Sequence, residues 1–350
     1  MRVVHTLALL SLSVASLAAQ AAEIKGAGSS AAQPLYDSLA VNYAKSTGVT
    51  FNYQPSGSSD GLKQITNKTV DFGATDIAMS AEQRAKSKMV CFPTAISGVV
   101  PVVNLPGVRK GQLQLTGDVL ADIFSRKIVK WNDQRLRALN PTLTLPDLAI
   151  TPVTRSDGSG TTFNFTDYLS KSSPAWQSAF GRNASIAWPA GTVSAKGSSG
   201  VVALLKQTSG AITYVDYQYA TKGNLASTLL KNRDGKFVAP GPLAFSASLS
   251  NSAWLSKGTY EEMLTDRPGA ASWPITAGTF ILLPRASSNP ATTIAAIKFF
   301  TWGFVHGDAV VGKAAFVRLP DLVQGRIFGE LAAITDNAGV PLKWNLLEAI

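Results

Sequence analysis

One stretch constrains the fold more than any other in the 350 residues: Thr151-Pro-Val-Thr-Arg-Ser-Asp-Gly-Ser-Gly-Thr-Thr-Phe-Asn-Phe-Thr-Asp-Tyr-Leu169. Residues Ala149 to Val153 read as the end of a short strand. Arg155 to Thr161 reads as a tight turn, because two glycines permit positive φ while Asp and Ser hydrogen-bond the local backbone. From Thr162 the apolar spacing of Phe163, Phe165, Tyr168 and Leu169 predicts a helix. Strand, Gly/Ser turn and helix start together bring free backbone N–H groups and the positive end of the helix dipole to one point, where an anion is favoured. Arg155 adds a cationic fork, and Ser159 and Thr161 add hydroxyl donors.

Three further Gly/Ser stretches precede helical patterns: Gly26-Ala-Gly-Ser-Ser30 before Leu35–Ala44, Gly57-Ser-Ser-Asp-Gly61 before Leu62–Asn67, and Lys196-Gly-Ser-Ser-Gly200 before Val201–Gln207. Serine and glycine are ordinary capping residues, which accounts for any one stretch but is strained by four. Four such openings suggest one anion held mainly by neutral dipoles. Between them, short apolar strands (Phe51–Gln54, Phe72–Ala74, Gly98–Val103, Ile212–Val215, Thr279–Leu283) alternate with helices (Gly117–Phe124, Thr293–Val305), which predicts an α/β fold. Val99–Val103 and Thr276–Leu283 are extended segments able to cross between two domains.

The ends and the composition narrow the class. Met1-Arg2, the apolar run Val3–Leu17 and Ala19-Gln-Ala21 read as a secretory signal peptide over residues 1–21. No Cys follows the apolar run, so no lipid anchor is expected, and no later segment is apolar for long enough to span a bilayer. The mature length suits two domains. Once Arg2 is removed the net charge is +9, but the Lys and Arg residues are dispersed, so nucleic-acid binding is not expected. The excess instead sets a mildly positive field for anionic solutes. Cys91 is the only cysteine and reads as a small buried hydrophobe. With His306 the only mature histidine, no metal site is expected, and no cofactor site either.

The pieces G26-A-G-S-S, N52-Y-Q-P-S-G-S-S-D-G-L-K-Q-I, V70-D-F-G-A-T-D, R155-S-D-G-S-G-T, G210-A-I-T-Y-V-D-Y and W273-P-I-T-A-G-T-F-I-L run in order from about residue 22 to about residue 335. Together they resemble the PstS-like periplasmic phosphate-binding proteins of the high-affinity phosphate ABC transporter. The resemblance implies a type II, Venus-flytrap fold of two mixed-sheet domains with the ligand in the cleft between them. Domain I would comprise residues 22–97 and 282–350, and domain II residues 98–281. It also implies a monomeric, periplasmic, non-enzymatic protein that hands inorganic phosphate to permease subunits in the inner membrane. Matched motif by motif, the phosphate ligands would be Ser30, Ala31, Ser58, Asp76, Arg155, Asp157, Ser159, Gly160 and Thr161. In that assignment the serines and Thr161 donate hydroxyls, Ala31 and Gly160 donate backbone N–H groups, and Asp157 holds the Arg155 fork. Asp76 would accept the proton that phosphate carries and sulfate lacks. The bland alternative for Asp76 is a cap on the helix at Ala81–Lys86.

Two positions depart from the family pattern. Ala31 stands where an aromatic is common, removing a wall of the cleft, and Asp60 stands where Gly is common, as a first-turn carboxylate facing solvent. The Lys196–Gly200 stretch is expected at the cleft rim and not among the ligands. Two rival readings differ in kind. Gly57-Ser-Ser-Asp-Gly61 fits G-x-S-x-G, which would make Ser59 the nucleophile and His306 the base of a serine hydrolase. The other is a phosphate-binding sensor or adhesion protein without a transporter.

Overall fold

The computed structural model describes residues 23–254 and 260–345; the expected signal peptide lies outside the described residues. In chain order, β1 (Glu23–Gly28), α1 (Gln33–Thr47), β2 (Thr50–Gln54), α2 (Ser58–Thr66), β3 (Phe72–Thr75) and α3 (Ala81–Ser87) lead into the long strand β4 (Met89–Asn104). Next come β5 (Gln114–Leu115), α4 (Gly117–Phe124), α5 (Gln134–Leu139), β6 (Thr151–Arg155), α6 (Gly160–Ser172), α7 (Pro174–Ala179), β7 (Val193–Ala195), α8 (Gly197–Gln207), β8 (Ala211–Asp216) and α9 (Tyr217–Lys222). Short strands β9 (Ala226–Ser227), β10 (Leu229–Lys231) and β11 (Phe237–Val238), then α10 (Pro242–Ser250), precede β12 (Thr276–Pro284). The helix Pro290–His306 then packs back on α1 and β1.

The main sheet is mixed, in the order β2-β1-β3-β12-β4-β8-β6-β7, with β9 also beside β4. Strands β1, β2 and β3 are parallel to one another, and β8, β6 and β7 form a second parallel set. The two sets are joined through β4, which changes partner along its length. Met89–Gly98 pairs with β12 from Pro284 back to Thr276, and Val99–Asn104 pairs with β8 from Asp216 back to Ala211. At the changeover the Val99 N–H donates to the Ile275 carbonyl at 2.8 Å. The β-branched run Val99-Val-Pro-Val-Val103 suits this central position. Pro93 falls where the β4–β12 register shifts, a bulge that tolerates the missing N–H.

Each half has its own aromatic core. In the first, Tyr36, Tyr53, Phe72 and Phe300 meet edge-on or stacked around β1 and β3. In the second, the Phe165 ring stacks on Tyr214 at 4.2 Å and meets Phe124 edge-on at 4.8 Å. Cys91 is buried in the first half as expected, and burial pushes its thiol up to about 12.

The Gly/Ser stretches depart from the sequence expectation. The helices expected to begin at Leu62, Thr162 and Val201 begin instead at Ser58, Gly160 and Gly197. These stretches are therefore the first helical turns themselves. A first-turn N–H has no carbonyl four residues back, so the poor helix propensity of Gly and Ser costs little there.

Helix α2 lies close enough to β1 and β3 that a Cβ on Gly61 would sit 2.6 Å from the Gly28 Cα and 2.7 Å from the Ala27 and Ala74 carbonyl oxygens. All three are backbone atoms and cannot swing aside. Gly61→Ala is expected to cost about 1–3 kcal/mol through overpacking, visible as a lower midpoint in thermal unfolding; an unchanged midpoint would show that α2 can back off the sheet.

Candidate functional site

The carboxyl ends of β1, β3, β6 and β8 and the first turns of α2, α6 and α8 meet where the two parallel sets face each other. The crevice beyond the carboxyl ends of strands is the usual ligand position in open α/β sheets. Ser58 Oγ, from α2, accepts from the Gly160 N–H at 3.0 Å and from the Asp76 N–H at 3.3 Å, so one hydroxyl links both halves. Its own hydrogen remains to donate. Ser30 Oγ lies 2.9 Å from Ser198 Oγ and accepts from the Ser198 N–H at 3.1 Å, and the Ser30 carbonyl accepts from the Tyr219 hydroxyl at 2.9 Å. The Ser59 N–H donates to the Gly158 carbonyl at 3.1 Å. A Cβ on Gly160 would fall 2.6 Å from Ser58 Oγ and 2.7 Å from the Asp76 Cβ, so only glycine allows this approach.

All nine residues assigned by resemblance lie in this convergence, in different hydrogen-bonding roles. Ala31, Asp76 and Thr161 line a pocket between the halves, together with Ser97, Asn164 and Asp216 among others. The Thr161 hydroxyl is buried with no hydrogen-bond partner. Ser159 caps α6, accepting from the Thr162 N–H at 3.1 Å. The Ala31 N–H, expected as a donor to ligand, donates to Ser29 Oγ at 3.2 Å, and the Gly160 N–H goes to Ser58. Arg155 Nε donates to Asp157 Oδ1 at 2.7 Å, and Arg155 Nη2 pairs with Asp157 Oδ2. Asp157 Oδ1 also accepts from the Gly197 N–H at 3.0 Å, tying the fork to α8.

The two carboxylates are set apart by their surroundings. Asp76 is 6% exposed. Burial raises its carboxyl above the usual range, against the Ser29 hydroxyl that donates to it at 2.6 Å and the field of Arg155. For Asp157 burial acts upward too, but the Arg155 hydrogen bonds and charge outweigh it and hold the carboxyl below the usual range. Asp76 does not cap α3; Ser80 does, in a capping box with Gln83.

Four residues of the site were not assigned from the sequence. Ser29, next to the assigned Ser30, donates to Asp76. Asn164 Nδ2 donates to the Asp76 and Gly160 carbonyls at 2.8 and 2.9 Å; its position one turn after Gly160 was the available signal. Ser198, expected at the rim, is buried and bonded to Ser30. Asp216 lines the pocket beside Asp76. Asp60 accepts from the Gln64 side chain on its own helix and is turned out of the pocket. Ser59 sits inside the first turn of α2 against Gly158, and His306 ends its helix against Trp302, with ring centroids 5.5 Å apart.

The opposite shifts predict opposite stability effects. The depressed Asp157 carboxyl stabilises the fold fully above its unfolded value of 3.8, and that contribution is lost as pH falls through the depressed value. Asp157→Asn is therefore expected to lose about 1.5–3 kcal/mol at pH 7, the gap to wild type closing toward roughly pH 3. The raised Asp76 carboxyl does the reverse, its stability falling as pH rises above 3.8. Asp76→Asn should match or exceed wild type at pH 7 in ligand-free protein. Thermal unfolding at both pH values checks the pair; two shifts of the same sign would contradict it.

The PBP superfamily domain matches residues 13–304. The chain is 45% identical over 312 residues to the phosphate-binding protein PstS of Pasteurella multocida, covering 89% of this chain and 90% of that one. It is 46% identical over 302 residues to PstS of Haemophilus influenzae, with 86% and 90% covered. Among solved structures, a phosphate-binding protein from Stenotrophomonas maltophilia superposes with a TM-score of 0.71 at 18% identity, covering 92% of this chain and all of that one. The high-affinity periplasmic phosphate-binding protein PfluDING, bound with phosphate, superposes with a TM-score of 0.70 at 20% identity, with 93% and 97% covered. The two-domain periplasmic binding protein fold is thus shared, and the chain belongs to the PstS family of phosphate-binding proteins.

Proposed function

We propose that this chain captures inorganic phosphate between its two halves and delivers it to an ABC importer. The observation that carries this is Asp76, a buried carboxylate set among hydroxyl and backbone donors, with the one nearby guanidinium clamped by Asp157. A carboxylate facing an anion repels it unless the anion brings a proton to share. Hydrogen phosphate does so near neutral pH, and sulfate does not. In this reading Ser30, Ser58, Ser159 and Thr161 supply hydroxyls, Ala31 and Gly160 supply backbone N–H groups, and Arg155, held by Asp157, supplies the positive charge. Ligand binding would exchange some of the bonds that now join the halves for bonds to the anion.

The change of strand partners at Gly98–Val99 and Ile275–Thr276 supports a hinge there. Domain I would then comprise residues 23–98 and 276–345, and domain II the described residues between 99 and 275. The pairing of β12 with β3 and with Met89–Gly98 of β4 supports placing the second boundary before β12, earlier than the expected 281. The protein would act as a periplasmic monomer, exported by its leader and docking on inner-membrane permease subunits, with no reaction of its own. Among the described residues no helix is long and apolar enough to cross a membrane, which is compatible with that placement.

Calorimetry of the mature protein with phosphate, arsenate, sulfate and molybdate tests the reading. Phosphate and arsenate should bind, and a protein giving no heat with phosphate would refute it. Losing the charge-assisted bond to Asp76, worth roughly 1.5–3 kcal/mol, and adding repulsion should open a gap of about 4 kcal/mol against sulfate, close to a thousandfold. Asp76→Asn should narrow that gap, since an amide can donate to sulfate. Wild-type sulfate affinity within tenfold of phosphate would remove Asp76 from the role.

A further inference from the structure

Asp216 is the second carboxyl in the pocket. It ends β8, paired with Val99 where β4 changes partner, and its Oδ1 caps α9 by accepting from the Gln218 N–H at 3.0 Å. It is 5% exposed. What covers it comes largely from the other half: Ala31, Ala32, Asp76 and the β12 residues Ala277, Gly278 and Thr279 line the same pocket. One hydroxyl of that pocket, on Thr161, is buried with no hydrogen-bond partner, while the Ser97 and Thr279 hydroxyls lie against the Asp216 and Asp76 carboxyls. A buried group of this kind in a native fold marks a place where water or ligand completes the network. The pocket is thus a small, mostly apolar enclosure walled by both halves, with one carboxyl from each.

We propose that Asp216 is a pH-linking residue of the anion site, which takes up a proton when the halves close on phosphate and so makes affinity depend on pH beyond the ligand's own titration. The inference rests on the phosphate reading above. When the halves part, the covering residues leave and water reaches the carboxyl. When they meet, its charge is removed from water and set across the pocket from Asp76. Burial above all, with a smaller push from the like charge of Asp76, raises the Asp216 carboxyl to about 7, against the pull of the Ser97 hydroxyl and the Gln218 N–H. From α9, Tyr219 lies within its field, and from β6 Arg155 acts on Asp76 and on Tyr219. A neutral Asp216 can donate to a pocket water or hydroxyl, and an ionised one can only accept.

The sign follows from the raised value. Between the ordinary carboxylate range and about pH 7, closure binds a proton, so affinity falls as pH rises through that window and levels above it. Asp216→Asn keeps the cap on α9 and removes the titration. Phosphate titrations by calorimetry, in buffers of differing ionisation enthalpy, count the protons. At pH 5.5 wild type should take up close to one proton more per phosphate than Asp216→Asn. The wild-type to variant affinity ratio should fall about tenfold or more between pH 5 and 8. Asp216→Glu should restore the uptake. Equal uptake and a flat ratio would overturn the proposal while leaving phosphate binding intact; absence of phosphate heat in wild type would remove the reading beneath it. Should the asparagine variant not fold, infrared difference spectra of wild type on adding phosphate decide. A neutral carboxylic-acid band must appear at pH 5.5 to 6, and its absence overturns the proposal.

Discussion

The structure depends on one strand serving both halves of the main sheet. β4 gives its first ten residues to β12 and its last six to β8, so the strands of the two halves are joined through this one strand. Backbone hydrogen bonds resist stretching but allow twist, and the ladder changes partners where the site residues converge. The crevice is therefore placed by topology before any side chain is chosen. The carboxyl ends of two parallel strand sets point into it, and helices start there because each parallel crossover must begin at that edge.

At this edge the chemistry is mostly backbone. First turns of α2, α6 and α8 present N–H groups that no helical carbonyl can satisfy, and Ser58, Ser159 and Asp157 satisfy several of them. The same groups can serve an anion because the donors are fixed by secondary structure and need little reorganisation. Asp76 and Asp216 stand against this positive set, each buried in a pocket shared by the halves. Buried carboxyls of this kind cost stability, and such costs are characteristic of sites shaped by function.

Much of this was legible in the sequence. The alternation of short strands and helices shows the α/β class, and the Arg155–Thr161 stretch marks the site, since glycines and hydroxyls at a strand-to-helix junction have a backbone reason to be there. Three helices start earlier than the sequence pattern predicts, because Gly and Ser score poorly as helix formers while the first turn is exempt from the reason they do. Ser198 and Asp216 were missed on other grounds. Their roles arise from contacts between halves 100 or more residues apart in sequence, such as Ser30 with Ser198, and periodicity carries no record of such pairings. Ser29 and Ser30 are indistinguishable by type, and only the turn after β1 decides which hydroxyl faces Asp76.

The fork between Arg155 and Asp157 separates capture from retention. With the guanidinium neutralised by its neighbour and Asp76 opposite, the crevice holds no surplus positive charge to draw an anion from a distance. Long-range attraction is then left to the dispersed basic residues of a chain with a formal net charge of +10. Salt reaches that outer field but not the enclosed dipoles. Ionic strength would therefore govern how often phosphate arrives and leave its residence time almost untouched. A protein built this way can work in a compartment whose salt content follows the surroundings of the cell, losing speed there before it loses grip.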